Sequence, residues 1–102
     1  MDDKEFGLLA QAVLSHIQDV LEHADLDFES PADGVLEIEF KDGSKVIVNR
    51  HNAAQEIWVA ARSGGFHFRR ANSGWVDSRD GEALYAKLAR LIAQQGGGNI
   101  LF

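Results

Sequence analysis

The spacing of apolar residues changes from a helical period to a strand period near Gly34, and this change constrains the fold more than any other feature. From Phe6 to Ala24 the apolar residues recur three and four positions apart, which is typical of one face of an amphipathic helix. We therefore predict a helix over residues 3–23. From residue 35 to residue 40 apolar and acidic residues alternate, which predicts a strand with one buried face.

Four further strands and a second helix are predicted after this first strand. Asp42-Gly43 is a strong hairpin signal, and strands are predicted at residues 45–49, 56–61, 66–70 and 74–77. The links between them, among them Ser63-Gly64-Gly65, are too short for crossovers, so the strands should pair antiparallel. Apolar residues from Leu84 to Ile92 return to helical spacing, and Gly96 should end that helix.

The predicted fold is an α+β two-layer sandwich of order α-β-β-β-β-β-α. N- and C-terminal helices should cover one face of an antiparallel sheet of five to six strands, in one domain spanning residues 1–102. The polar segment 25–34 is predicted to be a loop. The absence of cysteine excludes disulfides and thiolate metal sites. We expect no membrane span, and the acidic N-terminus is unlike a signal peptide, so we expect a cytoplasmic protein.

The net charge of −6 is distributed unevenly along the chain. Residues 1–42 hold twelve acidic residues and two basic ones, whereas residues 43–102 hold four acidic and eight basic residues. An acidic half repels phosphate, which disfavours nucleic acid as its partner. The asymmetry instead indicates an electrostatic partner for each half.

The acidic residues concentrate at the end of the first helix, in the loop after it and on the outer face of the first strand. With one histidine they are Asp19, Glu22, His23, Asp25, Asp27, Glu29, Glu37 and Glu39. Carboxylate oxygens suit hard cations and imidazole adds a borderline nitrogen, but neither zinc spacing nor an EF-hand pattern is present. Two interpretations stay open: an open, weak metal and docking surface, or a solvated face that supports solubility.

The sequence does not predict an enzyme. No serine has a G-x-S-x-G context, Gly64-Gly65 joins two strands instead of opening a helix, and no Lys or His is predicted to be buried in a pocket.

The sequence also predicts where two further residues lie in the fold. Alternation places Trp58 on the outer sheet face, as an anchor for a protein partner or covered by a neighbouring side chain, whereas His16 is expected half-buried in the first helix.

The sequence resembles the frataxin family, in particular its bacterial members, over about residues 3–95. The motifs that carry the resemblance are Gly34-Val35-Leu36-Glu37-Ile38, Asp42-Gly43-Ser44-Lys45-Val46-Ile47-Val48-Asn49-Arg50, Gln55-Glu56-Ile57-Trp58-Val59-Ala60, Gly64-Gly65-Phe66-His67-Phe68 and Arg79-Asp80-Gly81. They follow one another in the order and spacing of that family. The resemblance implies two helices on one antiparallel sheet, as the periodicity does.

The resemblance also implies a function in iron–sulfur cluster assembly, as an iron-binding regulator that contacts the cysteine desulfurase and its scaffold protein. It implies weak, reversible binding of Fe²⁺ and Fe³⁺, with other divalent cations able to compete. The implied metal ridge is Asp3, Asp19, Glu22, Asp25, Asp27 and Glu29, extending to Glu37 and Glu39. The implied partner surface is Asp19, Glu22, Glu37, Glu39, Asn49, His51 and Trp58. A monomer is expected, with oligomers in the presence of iron.

Two other functions stay open at this point. The first is a metal-independent protein-binding adaptor, in which the acidic face serves only electrostatic docking. The second is a ferroxidase that converts Fe²⁺ to Fe³⁺, which is disfavoured because the sequence lacks the Glu-x-x-His pairs of di-iron proteins.

Overall fold

The computed structural model describes all 102 residues and contains two helices and one six-stranded antiparallel sheet. The elements in chain order are α1 (Asp3–His23), β1 (Phe28–Glu29), β2 (Val35–Glu39), β3 (Lys45–His51), β4 (Glu56–Ala61), β5 (Gly64–Ala71), β6 (Gly74–Asp77) and α2 (Leu84–Gln94). The strands lie in the sheet in their sequence order. The predicted α+β sandwich is confirmed.

The two helices cover one face of the sheet, and the core lies between these layers. Each helix contributes one apolar stripe, represented by Phe6 and Ile17 on α1 and by Leu88 on α2, and every one of these residues is at most 1% exposed. Strand residues at alternate positions, such as Val48 and Ile57, complete the core at 0% exposure. The opposite sheet face carries the polar positions, which antiparallel sheets tolerate. No helix combines the length and hydropathy that a membrane span requires.

Several details of the predicted strands are wrong. The segment 25–34 is not wholly a loop, because Phe28 and Glu29 form the edge strand β1 against Ile38 and Glu37. Two residues are too few to show alternation in a sequence. The Gly64-Gly65 pair belongs to β5, where its backbone pairs with the end of β4, and β3 continues two residues further than predicted.

Candidate functional site

The end of α1 presents three of the predicted site residues to solvent. Asp19, Glu22 and His23 are all exposed on the last turns of the helix. The Nδ1–H of His23 donates to the backbone carbonyl of Asp19 at 2.7 Å, which leaves Nε2 with its lone pair in the neutral tautomer. Metal-binding histidines are oriented by the same kind of second hydrogen bond, and here it leaves the exposed Nε2 available to accept a bond.

The chain turns sharply after α1 and brings the loop carboxylates beside the sheet. Asp25 adopts a left-handed backbone conformation with φ of 59°, which redirects the chain toward β1. The backbone N–H of Glu39 then donates to the carbonyl of Asp27 at 3.0 Å, and Glu29 lies directly opposite Glu37 in the sheet. The helix end, the loop and the β1–β2 edge therefore form one continuous region.

We call this region the acidic surface and define it as Asp19, Glu22, His23, Asp25, Asp27, Glu29, Glu37 and Glu39. Outside this region, several basic residues of the chain form ion pairs with other acidic residues. The Arg50 guanidinium, for example, lies 3.0 Å from the Asp33 carboxylate. Within the acidic surface, Glu37 is paired with Lys45 at 3.1 Å. The other carboxylates of the surface have no Lys, Arg or His partner within 4.0 Å.

The negative potential of the acidic surface acts on Lys45, a basic residue that contacts it. The hydrogen bond to Glu37 raises the pKa of Lys45 above 10.5, and the charges of Glu37, Glu39 and Glu29 add to this increase. Like charges that crowd together destabilise a fold, and few internal cations relieve them here. The surface therefore offers carboxylates to an external cation or a basic partner.

The acidic surface does not contain a preformed chelating site. Nowhere in the structure do three or more carboxylates or imidazoles converge in an arrangement that could hold a metal ion. Asp3 lies apart from the rest, because its separation of sixteen positions from Asp19 corresponds to about 24 Å along the helix. Asp3 instead accepts a hydrogen bond from the Gln55 amide at 3.2 Å. Asp3 and Asp19 are therefore too far apart to bind the same metal ion.

The predicted partner residues on the sheet do come together. Asn49 and Trp58 are directly opposite each other on β3 and β4. The imidazole of His51 stacks on one face of the Trp58 indole with 3.7 Å between ring centroids, and the imidazole of His67 stacks on the other face at 4.3 Å. The indole N–H donates to Glu56 Oε1 at 2.8 Å. We call Asn49, His51, Trp58 and His67 the Trp58 surface.

The indole of Trp58 lies on the outer sheet face, as the alternation predicted, and neighbouring side chains cover it. His67 was not among the predicted partner residues. The register of the β4–β5 hairpin sets His67 opposite Trp58, and neither strand shows this register by itself.

Two further expectations are wrong. His16 is exposed, not half-buried, because its ring lies on the helix surface and tilts against Tyr85 at 5.1 Å. Lys87 is buried at 3% exposure, although no buried Lys was predicted. Its ammonium contacts Asp77 at 2.6 Å and Asp80 at 2.7 Å, and this pairing makes its burial tolerable.

The fold and the site define a small α+β sandwich protein with an open acidic surface and a partly covered indole on the outer face of its sheet. A family model for a frataxin-like domain matches residues 1–98. The chain belongs to this frataxin-like family.

Individual relatives agree with this assignment. The chain is 56% identical over 103 residues to the iron–sulfur cluster assembly protein CyaY of Dechloromonas aromatica, covering 99% of this chain and 98% of that protein. It is 50% identical over 101 residues to the CyaY of Ralstonia pickettii, covering 93% and 89%.

Two solved structures share the fold. Frataxin from Psychromonas ingrahamii matches with a TM-score of 0.91 at 28% identity, covering 98% of this chain and 96% of that one. Trimeric frataxin from Saccharomyces cerevisiae, complexed with ferrous iron, matches with a TM-score of 0.75 at 26% identity, covering 85% and 84%.

Proposed function

We propose that the protein is a cytoplasmic, non-catalytic, iron-binding regulator of iron–sulfur cluster assembly that docks on the cysteine desulfurase and its scaffold protein. The observation that carries the proposal is the acidic surface, whose carboxylates largely lack internal counter-charges. Membership of the frataxin-like family supports it, since relatives are named for iron–sulfur cluster assembly and a yeast relative was solved with ferrous iron.

The chemistry of the acidic surface favours weak and reversible iron binding. Carboxylate oxygens and one imidazole nitrogen suit Fe²⁺ and Fe³⁺. Because no three of these groups converge, each ion would keep most of its water ligands and be held by one or two side chains. Other divalent cations that prefer oxygen ligands would compete for the same carboxylates.

Docking would use the same carboxylates. A negative surface steers a basic partner into register and is sensitive to any charge bound to it. Iron on the acidic surface would reduce its negative potential and thereby change its affinity for the desulfurase. The Trp58 surface lies on the same outer sheet face, since β2 pairs with β3 and β3 with β4, and it would contact the desulfurase–scaffold complex beside the acidic surface.

An Fe²⁺ titration followed by amide NMR signals tests the metal site. We expect paramagnetic broadening centred on residues 19–29 in the wild-type protein and its loss in the Asp19→Asn/Glu22→Gln variant. Glu5→Gln is the matched control, because Glu5 is an exposed carboxylate at the opposite end of α1. Broadening distributed uniformly over the chain, or unchanged in the double variant, would contradict the proposed site.

A metal-independent adaptor is the second candidate function. The absence of converging ligands favours it, because an acidic surface can dock on a basic partner without any metal. An affinity for the desulfurase that is the same with Fe²⁺ and with a chelator would support the adaptor.

A further inference from the structure

The indole of Trp58 is held between two imidazoles on the outer face of the sheet. The His51 ring lies at 3.7 Å with an interplanar angle of 15°, and the His67 ring lies at 4.3 Å with an angle of 8°. With its N–H bonded to Glu56, the indole is restrained on both faces and at its polar edge. A partner therefore meets a prearranged indole, which lowers the entropy cost of docking.

His51 also holds the turn between β3 and β4. The backbone N–H of Ala54 donates to His51 Nδ1 at 3.1 Å, so the proton of the neutral ring is on Nε2. The same turn contains Gln55 in a left-handed conformation with φ of 54°. A protonated imidazole carries a hydrogen on both nitrogens, so it cannot accept from Ala54. Protonation of His51 therefore breaks a contact that orients both the ring and the turn.

The charged groups around the two histidines are few. Glu56 is opposite His51 on β4, Arg50 is engaged by Asp33, and the turn residues 52–55 carry no charge. β2 brings no charged residue to His51, because its pairing with β3 ends at Asn49.

Beside His67, the nearest cations come from its own strand and from the segment after β6. Arg69 lies two positions further along β5, opposite Glu56. The Arg79 guanidinium donates to the Gly65 carbonyl at 2.8 Å. Uncharged Ser78 occupies the β6 side and donates through its backbone N–H to the carbonyl of His67. Protonation of either histidine thus adds positive charge to a surface whose charged neighbours are Glu56, Arg69 and Arg79.

We propose that His51 and His67 form a proton-operated clamp on Trp58 that controls docking through the Trp58 surface. With both imidazoles neutral, the clamp holds the indole in one orientation. Protonation of His51 releases the turn and places positive charge at the docking surface. This inference rests on the proposed function, because the partner that responds to the clamp is the desulfurase–scaffold complex. Imidazole is the side chain whose charge changes between about pH 5 and 8.

The clamp is tested first in the isolated protein, by following indole and amide NMR signals from about pH 8 to about pH 5. We expect the Trp58 indole N–H and the Ala54 amide signals to move together with the titration of His51. The buried Trp75 is the internal control. In His51→Gln the Ala54 signal should lose its pH dependence, and in His67→Gln it should keep it. Ala54 and Trp58 signals that stay constant while His51 titrates would overturn the clamp.

The second test measures affinity for the desulfurase–scaffold complex at about pH 7.5 and about pH 6. We expect the wild type to lose affinity about fivefold or more on acidification, in the range of ordinary coupling between sites, and His51→Gln/His67→Gln to lose clearly less. An equal loss in both proteins would overturn the clamp. If neither protein binds at either pH, the proposed function is contradicted. The NMR titration of the isolated protein still tests whether the clamp exists.

Discussion

Lys87 allows one prediction to be worked out quantitatively. Its ammonium is buried and donates to Asp77 at 2.6 Å and to Asp80 at 2.7 Å. Burial opposes the charge of Lys87, but the hydrogen bonds to Asp77 and Asp80 outweigh burial and raise its pKa above 10.5. Burial likewise opposes ionisation of Asp77, yet the hydrogen bonds from Lys87 and from the Arg79 backbone hold its pKa below 3.8.

Replacing Lys87 by Ala leaves the Asp77 carboxylate buried without a counter-charge. Breaking a buried ion pair in this way costs about 3–5 kcal/mol of unfolding free energy. The unfolding entropy of a chain of this length is about 0.2 kcal/mol/K, so Tm should fall by about 15–25 °C. Lys87→Met combined with Asp77→Leu should recover most of the loss, because a well-packed apolar pair avoids the desolvation penalty.

Thermal and urea unfolding of Lys87→Ala over a range of pH provide the assay. The lowered pKa of Asp77 stabilises the folded wild type above about pH 3.8, and this stabilisation is lost as the pH falls further. The raised pKa of Lys87 stabilises the folded wild type below about pH 10.5, and this stabilisation is lost as the pH rises further. In Lys87→Ala the unpaired Asp77 costs less stability when its carboxyl is neutral. The difference in unfolding free energy between this variant and the wild type should therefore decrease toward acidic pH.

Arg90→Ala is the control for the Lys87 variant, since it breaks the more exposed pair with Glu82 and should cost at most about 1 kcal/mol. A loss in Lys87→Ala no larger than in Arg90→Ala, or a deficit that is independent of pH, would refute the reasoning.

Two further predictions concern the loops. Gly97→Ala would place its Cβ 2.4 Å from Ile92 Cγ2, so we expect the unfolding free energy measured in urea to fall by about 1–3 kcal/mol. Gly74→Ala is the matched control, because a Cβ at Gly74 would meet no atom within 4 Å. An equal loss in both variants would contradict the packing argument. The hydroxyl and backbone N–H of Ser44, together with the Arg62 guanidinium, lower the pKa of Asp42 to about 2. The carboxyl should therefore titrate near that pH by NMR, and at a higher pH in Ser44→Ala, which removes the hydroxyl but keeps the backbone N–H and Arg62; an unchanged midpoint in the variant would contradict the contribution of the hydroxyl.

The periodic elements of the fold could be predicted from the sequence nearly to the residue. The predicted bounds of α1, β4 and β6 agree with the structure, because each has several repeats of its period between turn signals. β1 could not be predicted, since two residues show no period and pair only because β2 offers them a partner. The burial of Lys87 depends on carboxylates that the end of β6 and the loop before α2 supply, and a local pattern cannot show this.

The location of the acidic surface could also be predicted, but which of its carboxylates are paired with basic side chains could not. Spacing placed Asp19 and Glu22 on one helix face. Which carboxylates find partners depends on where Lys and Arg side chains reach in three dimensions, as Lys45 does with Glu37. The stacking of His67 on Trp58 likewise depends on strand register, which a single strand does not contain.

The most direct test of the central claim is the affinity of the cysteine desulfurase for this protein with and without Fe²⁺. It should be measured on the wild type, Asp19→Asn/Glu22→Gln and the control Glu5→Gln at low salt. We predict that Fe²⁺ changes the affinity of the wild type and of Glu5→Gln, and that the double variant binds weakly and responds little to Fe²⁺. Equal affinities for all three proteins, unchanged by Fe²⁺, would contradict the account.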